Sequence, residues 1–478
     1  MAIAELGSEV RSAPASASAP GARAPRAVAS PADVRLALRF ASSALACFAL
    51  LEAAAHLLAP SVTPSLHVAL ALAAWELAVQ GVVTHAALAR RSAARPPSPL
   101  AVSVLVAAWN EERDIVSTVR SILAQDGVEL ELVVADDGST DRTRARLVEH
   151  FALEARPDGS LSDARGLVRV LCLSHRGKGA ALEAARRAAR HPILVTVDAD
   201  TLLGSGALEH LVRPFVEDEV EAAAGSVVVR DADDLLSRFQ HLEYLKTTLT
   251  RRGWSELALL EQVPGAFAAL RASAVEAAGG FPTDSLTEDY EVMFRLYAHA
   301  AEQGRRIRVP TVSEAIAYTE PPRSLAGLSR QRARWFAGFL VTLARFRALT
   351  WSARAGAFGL VRLPIKWMDA ALPLWSLASI ALFAALAAIE PNGLRLEVSA
   401  LGLFLLGLRW ALDLAQTALA LRLHAGAPGR LAAREPRVVL TWLHALAESF
   451  TYTWLRQVLV VRAYALALTK ARVWETAR

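Results

Sequence analysis

Cysteine and lysine are both scarce in this chain. The two cysteines, Cys47 in an apolar run and Cys172 in a short β-branched run, provide neither a disulfide framework nor a thiolate metal centre, and they suit a core facing the cytoplasm. Of 52 basic residues only Lys178, Lys246, Lys366 and Lys470 are lysines, and the formal charge of +5 is spread along the chain instead of clustered, so no nucleic-acid partner is expected. No short apolar run ends in a cleavage-like site before residue 34. Residues 1–33, rich in Ala, Ser and Pro, therefore read as a disordered cytoplasmic tail and not as a signal peptide. What is plentiful is apolar surface: 54% hydrophobic residues and a mean hydropathy of +0.30, beside 21% charged residues, describe a chain that is part membrane and part soluble domain.

Two apolar runs, 38–58 and 66–89, sit between Arg35 and Arg39 on one side and Arg90, Arg91 and Arg95 on the other, which places both ends inside. From Leu100 to Pro322 short β-branched runs alternate with polar helical stretches. These runs, Val102–Ala108, Leu132–Ala135, Val168–Leu173 and Ile193–Val197, predict βαβ units and a mostly parallel sheet, with ligands outside the carboxyl ends of its strands. After Pro364 the pattern turns apolar again. An interfacial helix over Leu363–Asp369 (within 355–370) and spans at 372–389 and 398–421 are expected, with Arg422, Arg430, Arg434 and Arg437 marking the return inside. The run 438–469 holds Glu448, Arg456 and Arg462 and reads as one tilted helix, a re-entrant pair or a channel-lining helix. Arg409 and Asp413, four apart on one span, are expected to pair and to face protein or a ligand path; Glu52 and Glu76, also within apolar runs, would suit a conduit.

The strand ends carry the chemistry. Glu111 and Glu112 follow the first strand, and Asp136-Asp137-Gly138-Ser139-Thr140-Asp141 follows the second. Acids there can hydrogen-bond a base and a ribose, while Ser139 or Thr140 would equally cap a helix. The His175-Arg176-Gly177-Lys178-Gly179 segment opens a helix whose N–H groups and lysine can face an anion, or it is a plain turn. Asp198 and Asp200 flank one residue after a buried strand. Alternate side chains of an extended segment point the same way, so both can converge on Mg²⁺ or Mn²⁺, and a solvated turn is the plainer reading. Glu288 and Asp289 open a helix, where they complement its dipole or supply a general base. Gln331, Arg334 and Trp335 share one helix face. They offer an amide, a diphosphate clamp and a stacking surface for a pyranose, or simply interfacial anchors.

Taken in order, Asp136-Asp137-Gly138-Ser139, Asp198-Ala199-Asp200, Thr287-Glu288-Asp289 and Gln331-Arg332-Ala333-Arg334-Trp335 resemble the motifs of the processive, membrane-bound family 2 glycosyltransferases that make cellulose, hyaluronan, chitin and poly-N-acetylglucosamine. The resemblance covers residues 100–340 and implies an α/β, Rossmann-like GT-A domain (98–350) on the cytoplasmic side of a bacterial inner membrane, flanked by multi-pass helices (34–90 and 371–470). It further implies inverting transfer of a hexose from a UDP-sugar to a β-linked polysaccharide coupled to export, with a single transfer to a lipid or short glycan as the alternative. By residue it implies donor binding by Glu111, Asp136, Asp137, Lys178, Asp198 and Arg334, and metal at Asp198 and Asp200. Asp289 is the implied base beside Glu288, and Gln331 and Trp335 line the acceptor site. Pro264-Gly265-Ala266-Phe267 and Gly279-Gly280-Phe281 look most like the poly-N-acetylglucosamine and hyaluronan synthases. Trp474, Thr476 and Arg478, in the tail 471–478 expected to be cytoplasmic, resemble a hyaluronan-synthase gating segment or serve as an interfacial anchor. Two departures stand out: Ala108-Trp109 replaces the small-aromatic pair, and no cyclic-dinucleotide domain follows as in bacterial cellulose synthases. A transporter or binding module would have no use for the Thr-Glu-Asp acids.

Overall fold

The computed structural model describes residues 31–58, 64–89, 99–389, 392–425 and 438–468. The expectations for Arg90, Arg91, Arg95, Arg430, Arg434, Arg437 and the gating segment Trp474, Thr476 and Arg478 lie outside these residues.

The β-branched runs form the strands they predict. Strands β1 (Leu100–Ala108), β2 (Val128–Asp136), β3 (Glu154–Ala155), β4 (Leu161–Ser162), β5 (Val168–Cys172) and β6 (Ile193–Asp198) are joined by β7 (Leu202–Leu203), β8 (Ala222–Val229), β9 (Phe267–Arg271) and β10 (Thr311–Thr319) in one sheet of order β3-β4-β5-β2-β1-β6-β9-β8-β10-β7. The β5-β2-β1-β6 block is parallel, as the βαβ spacing requires, and β9 runs antiparallel between β6 and β8, so the whole sheet is mixed. Alternation along each strand serves two cores. Val102, Val104 and Val106 of β1 point to one, and Leu105 and Ala107 to the other.

Helices α1 (Pro31–Leu58) and α2 (Pro64–Ala87) precede the sheet, and α3 (Ile115–Leu123), α4 (Thr143–Phe151), α5 (Lys178–Ala188) and α6 (Ala207–Val212) lie within it in sequence. Next come α7 (Leu235–Glu256), α8 (Ala272–Ala277), α9 (Glu288–Glu302) and α10 (Leu325–Arg345). Helix α7 is closed at its start by Asp234, whose Oδ1 accepts from the Ser237 N–H at 2.8 Å while Ser237 Oγ accepts from the Asp234 N–H at 3.1 Å. It then packs on α2 at Gly253, where an added Cβ would stand 2.1 Å from the Val83 carbonyl oxygen. Gly253→Ala should force the two helices apart at a cost of about 1–3 kcal/mol, read as a lower melting temperature of the protein in detergent.

The C-terminal elements are α11 (Leu363–Ile389), α12 (Asn392–Ala425), α13 (Val438–Glu448) and α14 (Tyr452–Leu468). The interfacial helix expected over Leu363–Asp369 is no separate element. A π-helical turn, Phe358–Arg362, leads straight into α11, where Pro364 has no N–H to continue the ladder and the Gly359 carbonyl accepts instead from the Trp351 N–H at 2.9 Å. The ambiguous run 438–469 is two helices broken at residues 449–451. Among the described residues two stretches, Arg35–Ala53 and Leu403–Ala425, are long and apolar enough to cross a membrane. The expected Arg409–Asp413 pair does not form. Arg409 reaches Glu76 of α2 at 2.8 Å, and Asp413 accepts from Ser449 Oγ at 2.8 Å, because both side chains face neighbouring helices and not each other's turn.

Candidate active site

Parallel register sets Ala108 beside Asp136 and Ala107 beside Asp198, so the chain just beyond β1, β2 and β6 gathers at one edge of the sheet. That edge opens on a cavity of about 1450 Å³ lined by Glu111, Lys178, Asp198, Asp200, Glu288, Asp289, Gln331, Arg334 and Trp335. Nine of the residues singled out from sequence thus share one space.

The turn after β1 is laced to the turn after β2. Asn110 adopts a left-handed conformation, φ +58°, which Asn tolerates through local hydrogen bonding, and its Oδ1 accepts from the Thr140 N–H at 2.8 Å. Its own N–H donates to Ser139 Oγ at 3.0 Å, and the Glu112 N–H donates to Asp141 Oδ2 at 3.1 Å. Neither Ser139 nor Thr140 caps the helix: the N-cap position is Arg142, whose side chain makes no capping bond, and Asp141 just before it accepts from the Thr143 N–H at 2.9 Å.

Asp136 and Asp137 do not line the cavity. Asp136 is fully buried; its Oδ2 is gripped by Arg144 Nη2 at 2.7 Å and its Oδ1 accepts from the Ser139 N–H. Asp137 accepts from the backbone N–H groups of Arg176 and Gly177, each at 2.8 Å. The anion expected at the start of α5 is therefore the chain's own Asp137.

Lys178 instead faces inward. Its Nζ stands 2.7 Å from Asp198 and 2.9 Å from Glu288. Burial pulls its pKa down, but Asp198, Glu288 and Asp289 outweigh burial and hold it well above the usual lysine range. Asp200 Oδ1 meets only the hydroxyls of Thr201 at 3.2 Å and Thr319 at 3.4 Å, and burial together with the charge of Asp198 pushes its pKa up to about 6. Asp289 is held from both sides. Its Oδ2 accepts from the Gly265 N–H at 3.0 Å and its Oδ1 from the Tyr290 N–H at 2.9 Å. A Cβ on residue 265 would stand 3.1 Å from Asp289 Oδ2, so glycine permits the approach. Burial, then the neighbouring Glu288, raises Asp289 to about 6 against the pull of Lys178.

Four carboxylates thus surround one lysine, and Asp198 with Asp200 offers two oxygen donors of the kind a hard divalent cation takes. Among the described residues no group of three His, Cys, Asp or Glu encircles one point. A cation held by Asp198 and Asp200 would complete its shell with phosphate oxygens and water, the usual habit of Mg²⁺. Of the other residues lining the cavity, Gln331 and Arg334 each bury a polar atom, Oε1 and Nε, without a hydrogen-bond partner.

Several cavity residues lie outside the sequence motifs. Glu261 is gripped by both guanidinium arms of Arg362, each at 2.6 Å, and by Lys366 at 3.1 Å. Burial opposes its charge, yet these cations hold it at about 2. This clasp anchors the loop that leads to Gly265. Lys246 reaches Glu448 at 2.8 Å. Lysine scarcity was the available signal: Lys178, Lys246 and Lys366, three of the four in the chain, line this one cavity. The cavity continues between helices, past Glu76, Gln80, Arg409, Asp413 and Gln416.

Residues 97–338 match the family described as "Glycosyltransferase like family 2". Poly-beta-1,6-N-acetyl-D-glucosamine synthases of Staphylococcus aureus (strain COL) and Staphylococcus epidermidis are 27% and 26% identical over 239 residues, 50% of this chain and 54% of theirs. The chain thus spans about half the length of the curated relatives it matches. Among solved structures, a mannosyltransferase from Pyrobaculum calidifontis in complex with GDP-Man and Mn²⁺ aligns with a TM-score of 0.48 at 22% identity, over 85% of this chain and 99% of that one. Residues 1–349 of S. aureus TarS in complex with UDP align with a TM-score of 0.34 at 16% identity, over 52% and 65%. Matched over more than half its length, with the α/β GT-A sheet that such a domain requires, the chain belongs to glycosyltransferase family 2.

Proposed function

We propose that this glycosyltransferase moves a sugar, with inversion, from a UDP-sugar to the end of a β-linked polysaccharide on the cytoplasmic face of a membrane, and feeds the product between its own helices. One observation carries the reading: the cavity that holds Lys178, Asp198, Asp200 and Asp289 runs without interruption to Glu76, Arg409 and Asp413 on α2 and α12. A single transfer to a small acceptor has no need of such a passage.

Glu111, Lys178 and Arg334 hold the nucleotide and diphosphate. Asp198 and Asp200 would hold Mg²⁺ or Mn²⁺, which when bound would supply positive charge to offset that of the departing nucleotide. Asp136 and Asp137, engaged by Arg144 and by the start of α5, shape the loops around the donor. The acceptor lies on Trp335 and Gln331. Asp289 takes the proton from its attacking hydroxyl as the new bond to the anomeric carbon forms and the bond to the diphosphate breaks. Glu288, tied to Lys178, orients that lysine.

The name of the curated relatives makes UDP-N-acetylglucosamine the first donor to try. Membranes holding the protein, given a panel of radiolabelled UDP-sugars with Mg²⁺ or Mn²⁺, should yield a long polymer from one of them. Products of one added residue would shift the reading to single transfer.

The pH profile follows from the base. Because Asp289 is raised to about 6, it gains a proton as pH falls through that value. Turnover should then drop about tenfold per unit below it and stay level above. A rate that holds down to pH ~4, the ordinary aspartate range, would remove Asp289 from this role.

A further inference from the structure

Helix α7 carries a carboxylate on the wall of the same cavity to which the proposed reaction assigns no role. Glu243, 8% exposed, accepts from Arg332 Nη2 at 2.6 Å and from the Tyr452 hydroxyl at 2.7 Å, and Arg456 Nε stands 3.4 Å from its other oxygen. Its three partners come from two elements: Arg332 from α10, and Tyr452 and Arg456 from α14. Arg332 is 1% exposed, and its guanidinium lies over the Trp335 ring, 4.3 Å from the centroid. The Tyr452 ring is stacked in turn on Phe239 of α7. One helical turn before Arg332 the same two helices meet again, where Arg462 donates to Ser329 Oγ at 2.5 Å.

A buried guanidinium keeps one orientation only while its counter-charge is fixed, and an indole lying against it inherits that orientation. We propose that Glu243 is a positioning residue of the transfer reaction: through Arg332 it fixes the Trp335 indole as the platform for the acceptor, and through Tyr452 and Arg456 it ties that platform to the last described helix. The inference rests on the reading of Trp335 as acceptor site. It makes α10 and α14 one mechanical unit, so a shift of the C-terminal helix moves the acceptor platform and not the donor pocket built on the strand ends.

The test uses the full-length protein in lipid nanodiscs, with UDP-N-acetylglucosamine as donor, a β-linked N-acetylglucosamine oligosaccharide as acceptor, and UDP with Mg²⁺ as binding probe. Glu243→Gln should raise the acceptor KM at least tenfold, leave UDP affinity within twofold of wild type, leave turnover at saturating acceptor within about threefold, and shorten the polymer. Should that variant fail to fold, Tyr452→Phe, which removes one hydrogen bond and no charge, should raise the acceptor KM about threefold with UDP affinity unchanged. Glu243→Gln combined with Arg332→Gln removes the stranded charge but not the need for the stack, so its acceptor KM should stay high. Recovery of wild-type KM in that double variant would reduce Glu243 to charge balance and overturn the proposal, as would an acceptor KM unchanged in Glu243→Gln or a loss shared equally by UDP binding. A wild-type protein that binds UDP but transfers no sugar fails the glycosyltransfer reading before any variant is compared, and the inference falls with it.

Discussion

Replacing Asp289 by asparagine is expected to cut turnover by about 10²–10⁴-fold while leaving nucleotide affinity near that of wild type. The side chain is held at both oxygens, by the Gly265 and Tyr290 N–H groups. An amide keeps one of these acceptors and turns its NH₂ toward the other donor. A cost of about 1–3 kcal/mol in stability should accompany the kinetic loss, so melting temperature and UDP binding must be measured on the same preparation. Glu288 supplies the contrast. Its carboxylate belongs to Lys178 at 2.9 Å, so Glu288→Gln should weaken donor binding and, by removing a charge that helps raise Asp289, move the acid limb of the pH profile downward while leaving the base ionised at neutral pH. Turnover within a few-fold of wild type in Asp289→Asn would place the base elsewhere.

The difference between what sequence carries and what it hides is visible around this site. Residues that end strands are legible, because β-branched runs fix where β1, β2 and β6 stop, and parallel register then brings Asp198 to the side of β1. The helix start at Glu288 is legible for a similar reason, since acids in a first turn complement the dipole. Partners are not legible when they come from distant chain. Arg332 is an unremarked position inside Gln-x-x-Arg-Trp, and its counter-charge lies 89 residues away on α7. Arg409 has an acid four residues on, at the helical spacing that invites a pair, yet it bonds Glu76, 333 residues away. A one-dimensional pattern ranks the near neighbour first, whereas packing decides. Asp137 carries the same lesson. Its place in Asp-Asp-Gly suggests a ligand contact, and the fold uses it to satisfy two N–H groups ahead of α5 that would otherwise be without partners.

Removing one carboxylate at the end of β6 should have the larger consequence. Asp198 is already drawn to Lys178 at 2.7 Å, whereas Asp200 faces two hydroxyls and the charge of its neighbour, with burial as the first cause of its raised pKa. Of the pair it is therefore Asp200 that feels the Lys178 charge only at a distance and has no ion-pair contact, and it gains most from a divalent ion. Asp200→Ala should abolish transfer and erase the part of UDP affinity that depends on Mg²⁺ or Mn²⁺, because a single carboxylate beside a lysine is a poor site for a hard cation. The metal-free variant should melt no lower than metal-free wild type, since the substitution removes a poorly compensated charge and little packing. A chelator should reproduce the loss in wild type and change nothing further in the variant. The discriminating readout is UDP binding with and without Mg²⁺, which needs neither acceptor nor turnover. An Asp200→Ala protein that still binds UDP more tightly with Mg²⁺ than without, or a wild type that transfers sugar at full rate in chelator, would take the cation away from Asp198 and Asp200 and leave Lys178 and Arg334 to carry the diphosphate alone.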